Sequence, residues 1–281
     1  MAYAQFTQHQ MACYIVALQR VTHKLTIEDV KKLNVVTRKL KQAPVTLVFK
    51  PLGTDDVDHL TVFSDAGFKK EELDGYAFRG ALYVRHRKPL YLKDGTPNTQ
   101  VTTGHVILAE SRSIKTVCRS TYAAELLSAT MATDMVIPLT VTMHEIRSGP
   151  LGAACLRAVR DSGWTQENHV VTHLMIDAKS VYESLRASVF RPPVENSLSG
   201  HVLWLREMHD KGLLTSIVWT DTRDMYADGL TKGVIKRNAL FEAMAGSIIL
   251  RHSVDACKQR FKPNPQAFVI QDMYGTFEEI D

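Results

Sequence analysis

Four acidic residues stand in four short contexts that read together as one metal site. Asp65 closes Thr61-Val-Phe-Ser-Asp, and Asp177 closes His173-Leu-Met-Ile-Asp. Glu125 lies in Ser120-Thr-Tyr-Ala-Ala-Glu, and Asp228 in Tyr226-Ala-Asp-Gly-Leu-Thr-Lys. The first two end apolar, strand-like runs; the other two fall in helical stretches. A carboxylate at the end of a buried strand is a costly placement unless a cation meets it. Two such charges 4 Å apart repel by about 4 kcal/mol in a surface-like dielectric. Divalent cations resolve that repulsion, and hard oxygen ligands select Mg²⁺, with Mn²⁺ as a substitute.

The elements that must position these acids can be read along the chain. Residues 11–43 read as helical, with Thr26 as a cap and an apolar stripe of Ile27, Val30, Leu33, Val36 and Leu40. Val45 to Phe49, Leu60 to Ser64 and Gly75 to Val84 read as strands, and 85–103 as an inserted loop. A strand resumes at Gly104 to Ala109. Ser120 to Val136 reads as a helix capped by Ser120 or Thr121, and a second helical patch and a turn-rich stretch follow. Then come a strand (Val170 to Ile176), a helix (Ala178 to Ala187), a helix (Ser197 to Lys211) and a strand (Leu214 to Trp219). The last helix spans Asp224 to Ala245, interrupted at Gly233. Three meandering strands followed by alternating elements predict an α/β fold: a mixed five-stranded sheet flanked by helices, with an N-terminal helical extension.

Bulk properties narrow the class. The 281 residues are 45% hydrophobic and 23% charged, an ordinary globular composition. Cys13, Cys118, Cys155 and Cys257 have no metal-ligand or disulfide spacing and fit a reducing, intracellular compartment. No apolar run of about 18 residues marks a membrane span, and the first ten residues lack the basic start of a signal peptide. The net charge of +4 is uneven: residues 1–50 hold eight Lys/Arg against Glu28 and Asp29. The cluster Lys31, Lys32, Arg38, Lys39 and Lys41 suits a phosphate backbone or, equally, a solvated helix face.

The ordered motifs resemble a known family. Ser111-Arg-Ser-Ile-Lys-Thr-Val-Cys-Arg-Ser-Thr-Tyr-Ala-Ala-Glu is similar to the strand-to-helix motif of the ribonuclease H domain of copia-type retrotransposon polyproteins. Ser64-Asp-Ala resembles its first strand and Asp177-Ala-Lys-Ser-Val its third acidic motif. The segment from Gly200 through Trp204 to Gly212 resembles its late helix, and Tyr226-Ala-Asp-Gly-Leu-Thr-Lys its last. The likeness runs from about residue 55 to 245. More weakly, residues 10–52 resemble the segment connecting reverse transcriptase to this domain. The expected organisation is a basic extension (1–52), a ribonuclease H-like domain (53–250) and a tail (251–281). The chain departs from the family at Ala123, where a second glutamate is frequent, and at Ala178, where asparagine is usual. The 85–103 loop is longer than usual, and Thr220-Asp-Thr-Arg-Asp-Met lacks the histidine of cellular enzymes.

The resemblance implies Mg²⁺-dependent hydrolysis of the RNA strand of RNA–DNA hybrids through two ions. Asp65 would bridge both, Glu125 and Asp177 would hold one each, and Asp228 would complete the water-activating position. Ala66, Gly67, Ser120, Thr121, Lys179 and Arg223 would face the hybrid, with a phosphate favoured at the helix start. Asp221 and Asp224 compete with Asp228 for the last role. An integrase would place its glutamate last, and a proofreading exonuclease would carry Asp-x-Glu on the first strand, where Gly67 stands here. The implied partners are the hybrid and a reverse transcriptase module of the same polyprotein, with no membrane. The implied location is the cytoplasm or a virus-like particle, with the nucleus as an alternative. The rival reading is a decayed ribonuclease H-like module that binds nucleic acid without cleaving it.

Overall fold

The computed structural model describes residues 7–53, 57–68, 76–92, 94–98, 100–164, 170–233 and 235–256. Its centre is a mixed seven-stranded sheet built on three antiparallel strands, β1 (Asp58–Gly67), β2 (Tyr76–His86) and β3 (Thr102–Val117). β4 (Val170–Ile176) joins β1 in parallel, and β5 (Ser216–Trp219) joins β4 in parallel. Two-residue strands β6 (Ser247–Ile248) and β7 (Asp255–Ala256) cap the edges, so the order is β6-β3-β2-β1-β4-β5-β7. The five expected strands thus form the body of the sheet, and the count rises to seven through edge pieces too short to show periodicity.

Helices cover both faces. α1 (Ala12–Arg20) and α2 (Ile27–Gln42) precede the sheet; α3 (Thr121–Ser148) and α4 (Ala153–Ser162) separate β3 from β4. α5 (Lys179–Arg186) and α6 (Ser199–Asp210) lead to β5, and the short α7 (Asp228–Thr231) and α8 (Asn238–Met244) follow it. Strand alternation sorts the side chains by face. Leu60, Val62 and Ala66 of β1 pack with Leu126 and Ala129 of α3, Leu185 of α5 and Leu205 of α6. On the other face, Phe63 and Met175 pack with Ala12 of α1, Leu230 of α7 and Met244 of α8.

α3 is the spine of the first layer. Its buried hydroxyls at Thr130, Thr133 and Thr140 bond carbonyls four residues back at 2.8–2.9 Å, so threonine is tolerated in an enclosed helix. By length and composition α3 alone among the described residues could cross a membrane. Here it is a core helix, with Leu126, Ala129 and Ala132 wholly buried.

Three expectations are corrected. Val45 to Phe49 is not a strand: Val48 N–H bonds Met244 O at 2.8 Å, and Val45 and Leu47 pack against the second core. The helical stretch foreseen over Asp224 to Ala245 does break at the expected Gly233, but it is more fragmented than expected: a 3₁₀ turn (Thr222–Asp224), then α7, then α8. Arg237 Nη2 donates to the carbonyls of Lys232 and Gly233, giving the backbone partners outside a helix. The strand foreseen at Gly104 to Ala109 is the longer β3. The expected cap of α2 is present, with Thr26 and Asp29 bonded reciprocally. Of the tail, residues 257–281 lie outside the described residues.

Candidate metal centre

β1 and β4 run in parallel, so their carboxyl ends bring Asp65 and Asp177 to the same edge of the sheet. α3 starts beside that edge. Ser120 caps it, accepting from Ala123 N–H at 3.1 Å, and Glu125 follows one turn in. Ser128, one turn further, donates to Asp65 O at 2.8 Å and pairs with Ser64 Oγ at 3.0 Å. These bonds lock the helix to the strand end. One ligand oxygen each from Asp65, Glu125 and Asp177 lies within 4.8 Å of the others.

Asp228 arrives on α7, which lies against β2 at Gly80, the register partner of Asp65. A Cβ on Gly80 would sit 2.7 Å from Thr231 Cγ2, 3.0 Å from Leu230 Cβ and 3.1 Å from Ala227 O. Glycine is therefore required for this approach, and Ser111 Oγ fixes it by donating to Leu230 O at 2.7 Å. Thr231 then bonds Asp65 Oδ2 through its hydroxyl. Lys232 closes the arrangement, with Nζ 3.2 Å from Asp65 Oδ1 and 2.5 Å from Asp228 Oδ1.

The electrostatics follow from this crowding. Burial, then the charges of Asp65 and Asp177, push the Glu125 carboxyl far above the usual range; Lys232 and the Ala66 N–H oppose the shift. Asp177 is raised by burial and Asp65, against Lys232 and the Thr222 hydroxyl. Asp228 is raised by burial and Asp65, against its bond to Lys232. Lys232 itself is lowered by burial but raised more by Asp65, Asp228 and Asp177, so it stays an ammonium. The unrelieved repulsion is what a divalent ion would remove, and an all-carboxylate oxygen set fits a hard cation.

The remaining sequence candidates are distributed around this edge. Ala66 is buried and aims its N–H at Glu125. Gly67 faces α7, where a Cβ would stand 3.0 Å from Thr231 O. Ser120 and Thr121 are exposed at the start of α3. Beside them opens a cleft of about 1010 Å³ lined in part by Arg119, Ser120, Tyr122 and Arg191. Lys179 is exposed and reaches Glu183 at 3.9 Å. Arg223 is also exposed, but Asp221 holds its guanidinium through two 2.8 Å bonds. Asp224 faces away, accepting from Arg251 and His252 backbone N–H at 2.9 and 2.8 Å, and so does not compete for the cluster.

Sequence reasoning assigned no role to Thr231 or Lys232, although both stand in the quoted Asp228 motif. The available signal was spacing: Lys232 is four residues after Asp228, one turn on, and caps the end of α7 with its N–H on Asp228 O.

No protein-family model matches the chain, and a search of curated proteins returns no match. Among solved structures, the chain is similar to the N-terminal ribonuclease H domain of a Mycobacterium tuberculosis protein, as a fusion with maltose binding protein. That likeness has a TM-score of 0.36 and 16% identity, over 66% of this chain and 96% of that one. A looser likeness is to NurA, with a TM-score of 0.22 and 13% identity, over 66% of this chain and 42% of that one.

Proposed function

We propose that the chain is a divalent-metal-dependent endonuclease that hydrolyses the RNA strand of RNA–DNA hybrids. The observation carrying this reading is the convergence of Asp65, Glu125 and Asp177 within 4.8 Å, on two parallel strand ends and a helix locked to them. Asp228 is drawn to the same point through the shared ammonium of Lys232.

Instead of Glu125 and Asp177 holding one ion each, the 4.8 Å grouping favours Asp65, Glu125 and Asp177 together for one ion, and Asp65 with Asp228 for a second. Bound there, Mg²⁺ or Mn²⁺ supplies water activation and stabilisation of the leaving oxygen. The chain's own groups orient the ligands. Thr231 fixes one oxygen of Asp65, the Ala66 N–H fixes Glu125, and Trp219 Nε1 donates to Asp177 O at 2.9 Å. The exposed start of α3 offers N–H groups to a phosphate, with Arg119 and Arg191 beside it. The copia-type polyprotein setting, the division at residues 52 and 250, and the reverse transcriptase partner are supported by the sequence motifs alone.

The test is single-turnover cleavage of a labelled hybrid by the full chain with Mg²⁺, with a chelator control and Asp65→Asn in parallel. Cleavage that needs metal and Asp65 is expected. A wild-type chain that binds the hybrid in Mg²⁺ but never cuts it would overturn the nuclease reading in favour of a binding module.

A further inference from the structure

We propose that Lys232 is a resident counter-cation of the carboxylate cluster, so that the resting site takes one divalent ion and a second enters only as Lys232 withdraws. This rests on reading the cluster as a metal centre. The ammonium lies between Asp65 Oδ1 and Asp228 Oδ1, the two oxygens that a cation joining α7 to β1 would use. Thr231 holds the other oxygen of Asp65. A cation joining α7 to β1 would therefore have to share Asp65 Oδ1 with the ammonium while Lys232 is in place. Glu125 and Asp177 make no ion pair with Lys232 and remain with Asp65 as a three-carboxylate set within 4.8 Å.

Charge counting separates the two positions. With all four acids ionised, as metal ligation requires, four carboxylates and one ammonium carry three uncompensated negative charges, which one divalent ion reduces to one. A second divalent ion then overcharges the site unless the ammonium leaves. The backbone of Lys232 is pinned: its N–H donates to Asp228 O at 2.9 Å, and its carbonyl accepts from Arg237 Nη2 at 2.8 Å. Its side chain is different. It is 35% exposed on a flexible four-carbon stem, so the ammonium can swing to solvent without moving α7. The same residue orders the acids before an ion arrives and raises the concentration at which the second ion enters.

The test is calorimetric titration of the full chain with Mn²⁺ alone, without nucleic acid, alongside metal-free melting. Wild type should show one tight and one weak event. Lys232→Met and Lys232→Gln should bind the second ion at least about tenfold more tightly, because the competing charge is gone. Both should melt lower than wild type without metal and recover with Mn²⁺. Lys232→Arg should keep the weak second event, which a merely structural loss would not reproduce. Either neutral variant, folded and matching wild type in both binding events, would overturn the proposal while leaving the metal centre intact. Wild type and Asp65→Asn both failing to bind Mn²⁺ would overturn the metal reading and this proposal with it.

Discussion

Two polar clusters sit at opposite ends of the same strands, and they are resolved differently. At the amino end of β1 and β4, with the end of β2, stand His59, His86 and His173. Their rings stack, His59 lying 5.1 Å from His86 and 5.3 Å from His173, at interplanar angles of 9° and 11°. His86 is bonded by Thr61 Oγ1 and Lys88 O, both at 2.8 Å. His173 meets His59 at 3.0 Å, Ser216 at 2.8 Å and Tyr91 at 3.1 Å. Burial keeps all three imidazoles neutral, with His86 pushed down to about 3. At the carboxyl end, four acids share one ammonium, and three of them are raised by burial and mutual repulsion. The histidine end has its partners and is a closed structural network. The acidic end carries more carboxyl groups than its one ammonium can offset.

The comparison breaks most sharply at Asp65. Asp65→Asn keeps the shape and an acceptor for Thr231 but removes the charge that both proposed ion positions use. Hybrid cleavage should fall by at least about 10²-fold, while metal-free melting does not fall, because like-charge repulsion is relieved. Full cleavage by this variant would end the assignment. The opposite behaviour is expected of His86→Ala, which empties a wholly buried site and strips Thr61 of its partner. Urea denaturation should show a loss of about 3 kcal/mol, with cleavage by the folded fraction nearly unchanged. A stable His86→Ala variant that had lost cleavage would show that the two ends are coupled.

This contrast also marks what the sequence could tell. β1, β4, α3 and α5 were legible because apolar runs and capping residues recur locally; β1 and α3 carry Asp65 and Glu125, and Asp177 directly follows β4. The last helical region was legible only in part: the break at Gly233 could be read, but the division into a 3₁₀ turn, α7 and α8 could not. Its apolar residues Tyr226, Leu230 and Leu240 serve the core from separate pieces, held by Arg237 locally and by Ser111 from 119 residues away. The histidine network escaped notice because His59 and His173 are 114 residues apart and meet only through strand pairing. Lys232 had a visible spacing to Asp228, but its second partner, Asp65, is 167 residues away.

Acid and base should separate the two ends. The histidines have lowered folded pKa values, so their stability contribution is full above the unfolded value of about 6.5 and is lost as pH falls toward 3. For the fully enclosed His86 the limiting slope is about 1.4 kcal/mol per pH unit. Glu125 and Asp228 are raised, so the folded state binds more protons than the unfolded one. Their effect runs the other way, and stability falls as pH rises above the usual carboxylate range. Melting temperature against pH should therefore show a maximum between the two limbs. Mn²⁺ should lift the alkaline limb only, since it favours the ionised acids, and a lift on the acid limb would contradict the separation.

The smallest effects belong to the exposed cations beside the acidic end. Lys179 and Arg223 are both proposed to face the hybrid, but they start from different states. Lys179 has a loose contact with Glu183 at 3.9 Å, and Arg223 is already bonded twice by Asp221. A phosphate must take Arg223 from that carboxylate, whereas it meets Lys179 almost free. Lys179→Ala should therefore reduce the slope of log K against log salt by about 0.9, the release of one condensed counterion. Arg223→Ala should change it less. Asp221→Asn frees the guanidinium, so it should tighten hybrid binding by about twofold to threefold, within the scale of an exposed pair, and leave single-turnover cleavage unchanged. Equal slopes for the two cation variants would mean that the Asp221 pair is not held in solution. A cleavage defect in Asp221→Asn would move this residue from the rim of the site into the carboxylate cluster itself.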